Sequence, residues 1–92
     1  MPVAAPISFA GLVHVFQVNG GGLWHKWSAD AFNWSNESVF GAAGIAQQPL
    51  PNQLPGASTF NNRLMVTVED ANGRAWFFSQ PPGGPWGVGE LP

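Results

Sequence analysis

The strongest constraint on this chain is a recurrence of tryptophan at one fixed distance. Trp24 recurs as Trp76, and Trp34 recurs as Trp86, in both cases after 52 residues. Periods of about 20–50 residues are typical of proteins built from repeated structural units. The sequence therefore predicts two copies of one unit rather than a single irregular domain.

The same period divides the chain into two repeats. Leu12 and Leu64 keep the spacing of the tryptophans, and a stretch rich in Gly, Gln and Pro between residues 41 and 55 separates the units. We therefore assign repeat one to residues 1–46 and repeat two to residues 47–92.

Composition indicates that one copy of the chain is marginal on its own. A domain of 92 residues without Cys buries a small core and has no disulfide to stabilise it. Only 9% of the residues are charged, whereas 45% are hydrophobic, so a monomer would expose apolar surface. We therefore expect a homo-oligomer. The net charge of −2 with three Lys and Arg argues against nucleic acid, which requires a basic surface.

The sequence leaves the cellular compartment open. It contains no apolar run long enough for a transmembrane helix, and residues 1–6 lack the basic start and apolar stretch of a signal peptide. We therefore expect neither insertion into a membrane nor a signal peptide.

Alternating and β-branched segments predict strands throughout both repeats. Nine Pro and twelve Gly oppose long helices. The turns at residues 19–22 and 70–73 suit hairpins. The predicted strands and extended segments are residues 2–7, 12–18, 23–28 and 38–40 in repeat one, and 56–60, 64–69, 74–80 and the segment opened by Trp86 in repeat two.

The faces of these strands indicate how the sheets pack. In the first strand, Leu12, His14 and Phe16 share one side, while Val13 and Val15 share the other. An antiparallel sheet with one wet face would alternate more strictly, so both faces are expected to be covered, as in propeller blades. We predict an all-β fold with two four-stranded propeller blades per chain, which assemble into a closed oligomeric β-propeller.

Several motifs resemble those of a known family. Residues 11–16 read G-L-V-H-V-F, residues 23–27 read L-W-H-K-W, and repeat two has Gly73-Arg74-Ala75-Trp76 and Gly84-Pro85-Trp86. This pattern resembles the blade of PLL-type β-propeller lectins over nearly the whole chain, as two consecutive blades. The resemblance implies a lectin that binds carbohydrate, fucose-like sugars above all, in clefts between blades. It also implies a ring of several chains, with a trimer of six blades first and a tetramer of eight second.

The chain departs from the family pattern in two respects. His25 is replaced by Phe77 in the second repeat, which predicts two inequivalent clefts per chain. Familiar members carry many blades in one chain, whereas this chain supplies two. The alternative interpretation is a self-assembling structural propeller module, natural or engineered, without strong ligand binding.

Aromatic side chains are the main candidates for a binding site. The C–H face of a sugar ring lies well on an indole, while polar neighbours bind its hydroxyls. Trp24 and Trp76 are mid-strand and favour a packing role; the other three Trp flank loops and are better platforms. Glu37 is a candidate acceptor, and His14 is expected to be buried with its hydrogen bonds satisfied. The candidate carbohydrate-binding residues are Trp27, Trp34, Trp86, His25, Arg74, Trp24 and Trp76.

No catalytic chemistry is predicted. The sequence has no Cys, no nucleophile elbow and no phosphate-binding loop, because the three glycines after Asn19 lie between two strands. His14 and His25 alone give no metal-ligand spacing. We therefore expect a binding protein that is not an enzyme and uses no metal or cofactor.

Overall fold

The computed structural model describes residues 3–4 and 6–91. It contains two four-stranded antiparallel sheets, and each keeps its strands in chain order. No helix in these residues is long and apolar enough to cross a membrane. The first sheet consists of β1 (Ile7–Phe9), β2 (Leu12–Asn19), β3 (Gly22–Ser28) and β4 (Ser35–Ser38); a helical turn, α1 (Val39–Ala42), follows; the second sheet consists of β5 (Gly56–Phe60), β6 (Arg63–Glu69), β7 (Ala75–Gln80) and β8 (Gly87–Glu90).

The predicted all-β class and the central strands are confirmed, but two predicted segments differ. The strand expected at residues 38–40 is wrong, because β4 ends at Ser38 and α1 begins there. Ser38 caps the turn by accepting a hydrogen bond from the backbone N–H of Gly41 at 3.3 Å. Phe40 then points inward and packs on Phe78, with ring centroids 5.2 Å apart. Burial of this ring thus favours the helical turn over a longer strand.

The N-terminal segment lies beside β2. Val3 bridges Gln17, and the backbone N–H of Ala4 donates to the carbonyl of Phe16 at 2.9 Å. The extended segment predicted at residues 2–7 is therefore seen in part. Its positions 2 and 5 lie outside the described residues.

Tight turns fix the hairpins. Gly20 and Gly21 join β2 to β3 with φ values of 57° and 79°. A two-residue turn with positive φ at both positions matches the right-handed twist of the flanking strands, and glycine reaches this conformation without a steric penalty. The hairpin predicted at residues 19–22 is confirmed.

The strand pairing shows that the repeat period is not constant along the chain. Phe9 pairs with Leu12, and Phe60 pairs with Arg63. The first hairpins of the two sheets therefore correspond at a spacing one position shorter than that of the tryptophans. The expected equivalence of Leu12 with Leu64 is wrong by this one position, and Leu64 corresponds to Val13.

The spacing between equivalent residues increases by one position in the turn between β6 and β7. The backbone N–H of Asp70 donates to the carbonyl of Arg74 at 2.8 Å, and these residues correspond to the paired Asn19 and Gly22 at the end of the first hairpin. The turn enclosed by Asp70 and Arg74 is one residue longer than the turn enclosed by Asn19 and Gly22. The period therefore lengthens at this turn.

From the third strand onward the tryptophan spacing holds. Trp24 pairs with Ser38, and Trp76 pairs with Glu90. The third and fourth strands of the two sheets therefore correspond at the spacing of the tryptophans. The two indoles also make corresponding hydrogen bonds. Trp24 donates to the carbonyl of Asn19 at 2.9 Å, and Trp76 donates to the side chain of Asp70 at 2.8 Å.

This correspondence defines two faces that both sheets share. We call face A the side that carries Phe16 in sheet one and its counterpart Thr67 in sheet two. Face B is the opposite side, which carries Val15 and its counterpart Val66. Face A of sheet one packs against face B of sheet two, and the core between them contains Phe16, Val18, Leu23, Leu64, Val66, Val68 and Phe78.

The side chain of Gln53 holds the connection between the sheets against the end of β6 through hydrogen bonds to the backbone. The Gln53 amide donates to the carbonyl of Glu69 at 2.6 Å and accepts from the Glu69 backbone N–H at 2.9 Å. Leu50 donates its own backbone N–H to the same carbonyl at 2.9 Å. The end of β6 is thereby satisfied by the linker.

Replacement of Gln53 by Ala is expected to lower the free energy of unfolding by about 1–2 kcal/mol, since its three exposed hydrogen bonds to Leu50 and Glu69 are lost. Urea denaturation followed by tryptophan fluorescence measures the change. Gln47→Ala is the matched control, because Gln47 is exposed and its loss should leave the midpoint unchanged. Equal midpoints for the two variants would contradict the role of Gln53.

Candidate functional site

A cleft lies between face A of sheet one and the loop that joins β7 to β8. Its volume is about 280 Å³, near the lower end of the range for small-molecule sites. Sheet one supplies one wall, and residues 80–84 of sheet two supply the other. The apolar lining comprises Phe9, Leu12, Trp27, Pro81 and Pro82, and the polar lining comprises His14, His25, Glu37 and Gln80.

A chain of hydrogen bonds runs beneath this lining. Nε2 of His14 lies 3.0 Å from the carbonyl oxygen of Phe9, and Nδ1 of His14 lies 2.8 Å from Nε2 of His25. Nδ1 of His25 then lies 3.0 Å from Oε2 of Glu37. The prediction of a buried and satisfied His14 is confirmed, since the residue is 4% exposed.

The register of three adjacent strands produces this chain. His25 on β3 is paired with Phe16 on β2 and with Glu37 on β4. His14 precedes Phe16 by two positions, so its side chain lies on the same side of β2. Three polar side chains thus line up across face A.

The number of hydrogens in this chain determines its charge. The Phe9 carbonyl only accepts, so His14 must donate from Nε2, and the three contacts together need three hydrogens. Two neutral imidazoles supply only two. Burial lowers the pKa of His25 below its ordinary value of 6.5, and the hydrogen bond with Glu37 opposes this shift. The chain thus needs one proton more than two neutral rings carry, and burial of His25 opposes holding that proton on its ring.

The Glu37 carboxylate is fixed from two sides. Its Oε2 also accepts a hydrogen bond from Nε1 of Trp86 at 3.1 Å. Trp86 crosses from sheet two and meets Phe16 and His25 edge-on, at centroid distances of 6.1 and 5.4 Å. Oε1 accepts no hydrogen bond from the residues that the structure describes, and the side chain is 30% exposed. The cleft therefore presents one oriented acceptor.

Trp27 forms the aromatic wall. Its indole stacks on His25 with ring centroids 4.7 Å apart and an angle of 27° between the planes. The His25 ring is itself stacked on Phe16, 4.9 Å away. The predicted shared face of His25 and Trp27 is confirmed. A stack of this kind fixes the orientation of the indole.

The seven predicted site residues are not brought together. Trp27 and His25 line the cleft, and Trp86 lies behind it against the core. Trp24 and Trp34 lie instead on face B of sheet one, beside Lys26 and Asn36. The packing role expected of Trp24 is therefore not realised within the described residues of one chain.

The two remaining candidates belong to sheet two. Trp76 packs against the core on face B, in agreement with its expected packing role. Arg74 is exposed, and its nearest carboxylate is that of Glu90 at 3.7 Å, an exposed pair that adds little stability. Neither residue lines the cleft.

Sequence reasoning missed part of the lining. Phe9, Leu12 and Gln80 reach the cleft because the β1–β2 turn and the end of β7 face each other across it. No local pattern in the sequence indicates that encounter. Glu37 was a candidate acceptor, and its position opposite His25 follows once the β3–β4 register is known.

Comparisons with protein-family models, with curated proteins and with solved structures found no match for the chain. Among residues 3–4 and 6–91, no group of three His, Asp or Glu side chains is placed to hold a metal ion.

The lowered pKa of His25 predicts that acidification destabilises the fold. The unfolded chain takes up a proton near pH 6.5, whereas the folded chain resists it, so the free energy of unfolding falls as the pH drops through that value. Urea titrations at about pH 7.5 and about pH 5.5 span the ordinary pKa of histidine. The His25→Phe variant should show a smaller difference between the two pH values. A pH dependence unchanged in that variant would assign the effect to another group.

Proposed function

We propose that the chain is a carbohydrate-binding lectin whose ligand occupies the cleft between the two sheets. The observation that supports this most directly is the combination of the Trp27 wall with the oriented acceptor on Glu37. An indole can receive the apolar side of a pyranose, and the carboxylate and the Gln80 amide can bind its hydroxyls. The resemblance to PLL-type lectins favours fucose-like sugars.

We further propose that several copies associate head to tail into a closed β-propeller. In one chain, face A of sheet one is covered by face B of sheet two. The described residues of the same chain do not cover face B of sheet one or face A of sheet two. Because the sheets are repeats, face B of sheet one is equivalent to the packed face B of sheet two. Face A of sheet two is likewise equivalent to the packed face A of sheet one. A second copy can therefore meet the first through the same geometry.

Individual side chains support this mode of association. Trp34 is the counterpart of Trp86 and is 44% exposed. Trp86 lies against Phe16 and His25, so Trp34 of the next copy would lie against their counterparts, Thr67 and Phe77.

The loop before Trp34 is already ordered in the single chain. Asp30 accepts hydrogen bonds from the backbone N–H groups of Phe32 and Asn33, both at 2.9 Å. These bonds also hold the pKa of the Asp30 carboxyl below its usual range. The indole is therefore presented by a loop that needs little rearrangement before a second copy docks.

The curvature needed for a ring is consistent with the strand order. β1 and β5, the first strands of the two sheets, approach each other, as inner strands of neighbouring blades do around a propeller axis. A trimer would give six blades and a tetramer eight. Either ring would present several clefts at once, which raises avidity for a glycan-coated surface.

The second candidate function is a structural module that only assembles. The counterparts of His14, His25 and Glu37 in sheet two are Met65, Phe77 and Gly89, so half of the clefts in any ring lack the polar chain. This observation favours at most one binding cleft per chain. Ligand measurements on the assembled protein separate the two functions.

Sugar binding is expected to depend on Trp27. Trp27→Ala should weaken the affinity for a sugar ligand about tenfold or more, since the stacking surface is lost. Isothermal titration with the best ligand from a glycan array measures the change. Arg74→Ala is the control, because Arg74 is outside the cleft. An assembled protein that binds no glycan on the array would contradict the lectin function.

Assembly is expected to require both open faces. Trp34→Glu and Phe77→Glu each place a charge on one face, so each variant alone should be monomeric by native mass spectrometry. A mixture of the two retains one intact pair of faces and should form one-to-one dimers, because the interface is heterologous. Far-ultraviolet circular dichroism checks that each variant is folded. A monomeric unaltered chain, or a mixture that stays monomeric, would contradict head-to-tail association.

A further inference from the structure

The described lining of the cleft has one formal negative charge and no Lys or Arg. Among the described residues that line it, Glu37 alone has a formal charge. Lys26 is on face B and lies 3.4 Å from Gln17. Arg63 donates to Ser79 at 3.1 Å on face A of sheet two, and the exposed Arg74 is beside a carboxylate of its own sheet.

Burial lowers the pKa of His25 and so opposes a positive charge on this ring of the cleft. The three contacts of the two histidines call for one hydrogen more than two neutral rings possess, and burial opposes the addition of that proton. The groups around His25 are His14 on β2, Glu37 on β4 and the uncharged rings of Phe16, Trp27 and Trp86. A positive charge brought by a ligand would complete the charge balance of this cluster.

The carboxylate shares its cleft with aromatic groups. Oε2 of Glu37 is held by His25 and Trp86, so Oε1 is the carboxylate oxygen that remains for an incoming donor. Phe9 and Trp27 line the same cleft. An ammonium group gains from a nearby carboxylate and from the faces of aromatic rings, more so where water is partly excluded. A neutral hydroxyl gains less from each of these groups.

We propose that the cleft selects an amino sugar, with its ammonium group at Glu37 and its ring against Trp27. This inference rests on the proposed carbohydrate-binding function and names the ligand class of the same site. It departs from the neutral sugar that the family resemblance implies. The amine provides a charge that matches the carboxylate, and the sugar ring provides the apolar side that matches the indole.

Matched ligands test the proposal on the unaltered, assembled protein. Glucosamine, N-acetylglucosamine and glucose share one ring and differ at one substituent, and the same three forms of galactose vary the ring. Isothermal titration near neutral pH should give an affinity about tenfold higher for the amine than for its two neutral relatives in at least one series. Such a factor corresponds to one charge-assisted hydrogen bond.

A second experiment tests whether the preference for the amine depends on the charge of the Glu37 carboxylate. Glu37→Gln keeps the size of the side chain and an oxygen that can accept from Trp86, but it removes the charge. The preference for the amine should disappear, so that the amine and its two neutral relatives bind this variant with affinities within about threefold of one another. Glu69→Gln is the matched control, since Glu69 is exposed and lies outside the cleft lining; the preference should persist there.

Several outcomes would overturn the inference, and they are distinguishable from failure of the proposed function. Equal affinity for the three forms in both series would remove the amine preference and leave a lectin for neutral sugars. Choline binding as tightly as the amino sugar would show that the ring contributes nothing. Absence of binding by every sugar would refute the carbohydrate-binding function itself. If Glu37→Gln does not fold, the matched ligands on the unaltered chain still decide.

Discussion

The packing of face A of sheet one against face B of sheet two is the contact on which the rest of the structure depends. Each sheet alone has only four short strands, and three or more strands need a covered apolar face for stability. The interface supplies that cover with fully buried Phe16, Leu64 and Phe78. It also inserts Trp86 beside His25, and so it creates the cleft and orients the carboxylate in the same step. Core and site are therefore formed by one contact.

That contact explains how a polar chain persists on an otherwise apolar face. His14 and His25 are nearly buried, and isolated polar groups in such a place would be costly. Each ring nitrogen has a partner, and no buried side-chain nitrogen or oxygen in the described residues lacks one. All three members line the cleft, and Glu37 is the one with a formal charge. The hydrogen-bonded chain thus links two buried histidines, which belong to the fold, to a carboxylate that lines the cleft.

Much of the fold was predictable from the sequence, because turn residues and alternation are local signals. The Gly20-Gly21 turn and the strands around it follow from such signals, and so does the spacing of Trp24 and Trp76. The shorter spacing of the first hairpins was not predictable. The turn between β6 and β7 is one residue longer than its counterpart. Because the repeated tryptophans all follow these turns, their spacing does not report the spacing of the strands before them. The site was less predictable still: Trp27 and His25 stand in one short motif, whereas Gln80 reaches them only through packing between sheets.

The one-position shift also bears on the difference between the two repeats. With this shift taken into account, equivalent residues of the two sheets lie on the same face. Met65, Phe77 and Gly89 therefore occupy the positions of His14, His25 and Glu37. Replacement of all three polar residues together is what a hydrogen-bonded chain requires, since removal of one member would leave the others unsatisfied. The second repeat thus keeps a face suited to packing without the polar chain. Repeat one carries the polar chain, and repeat two provides the surface that packs beside it.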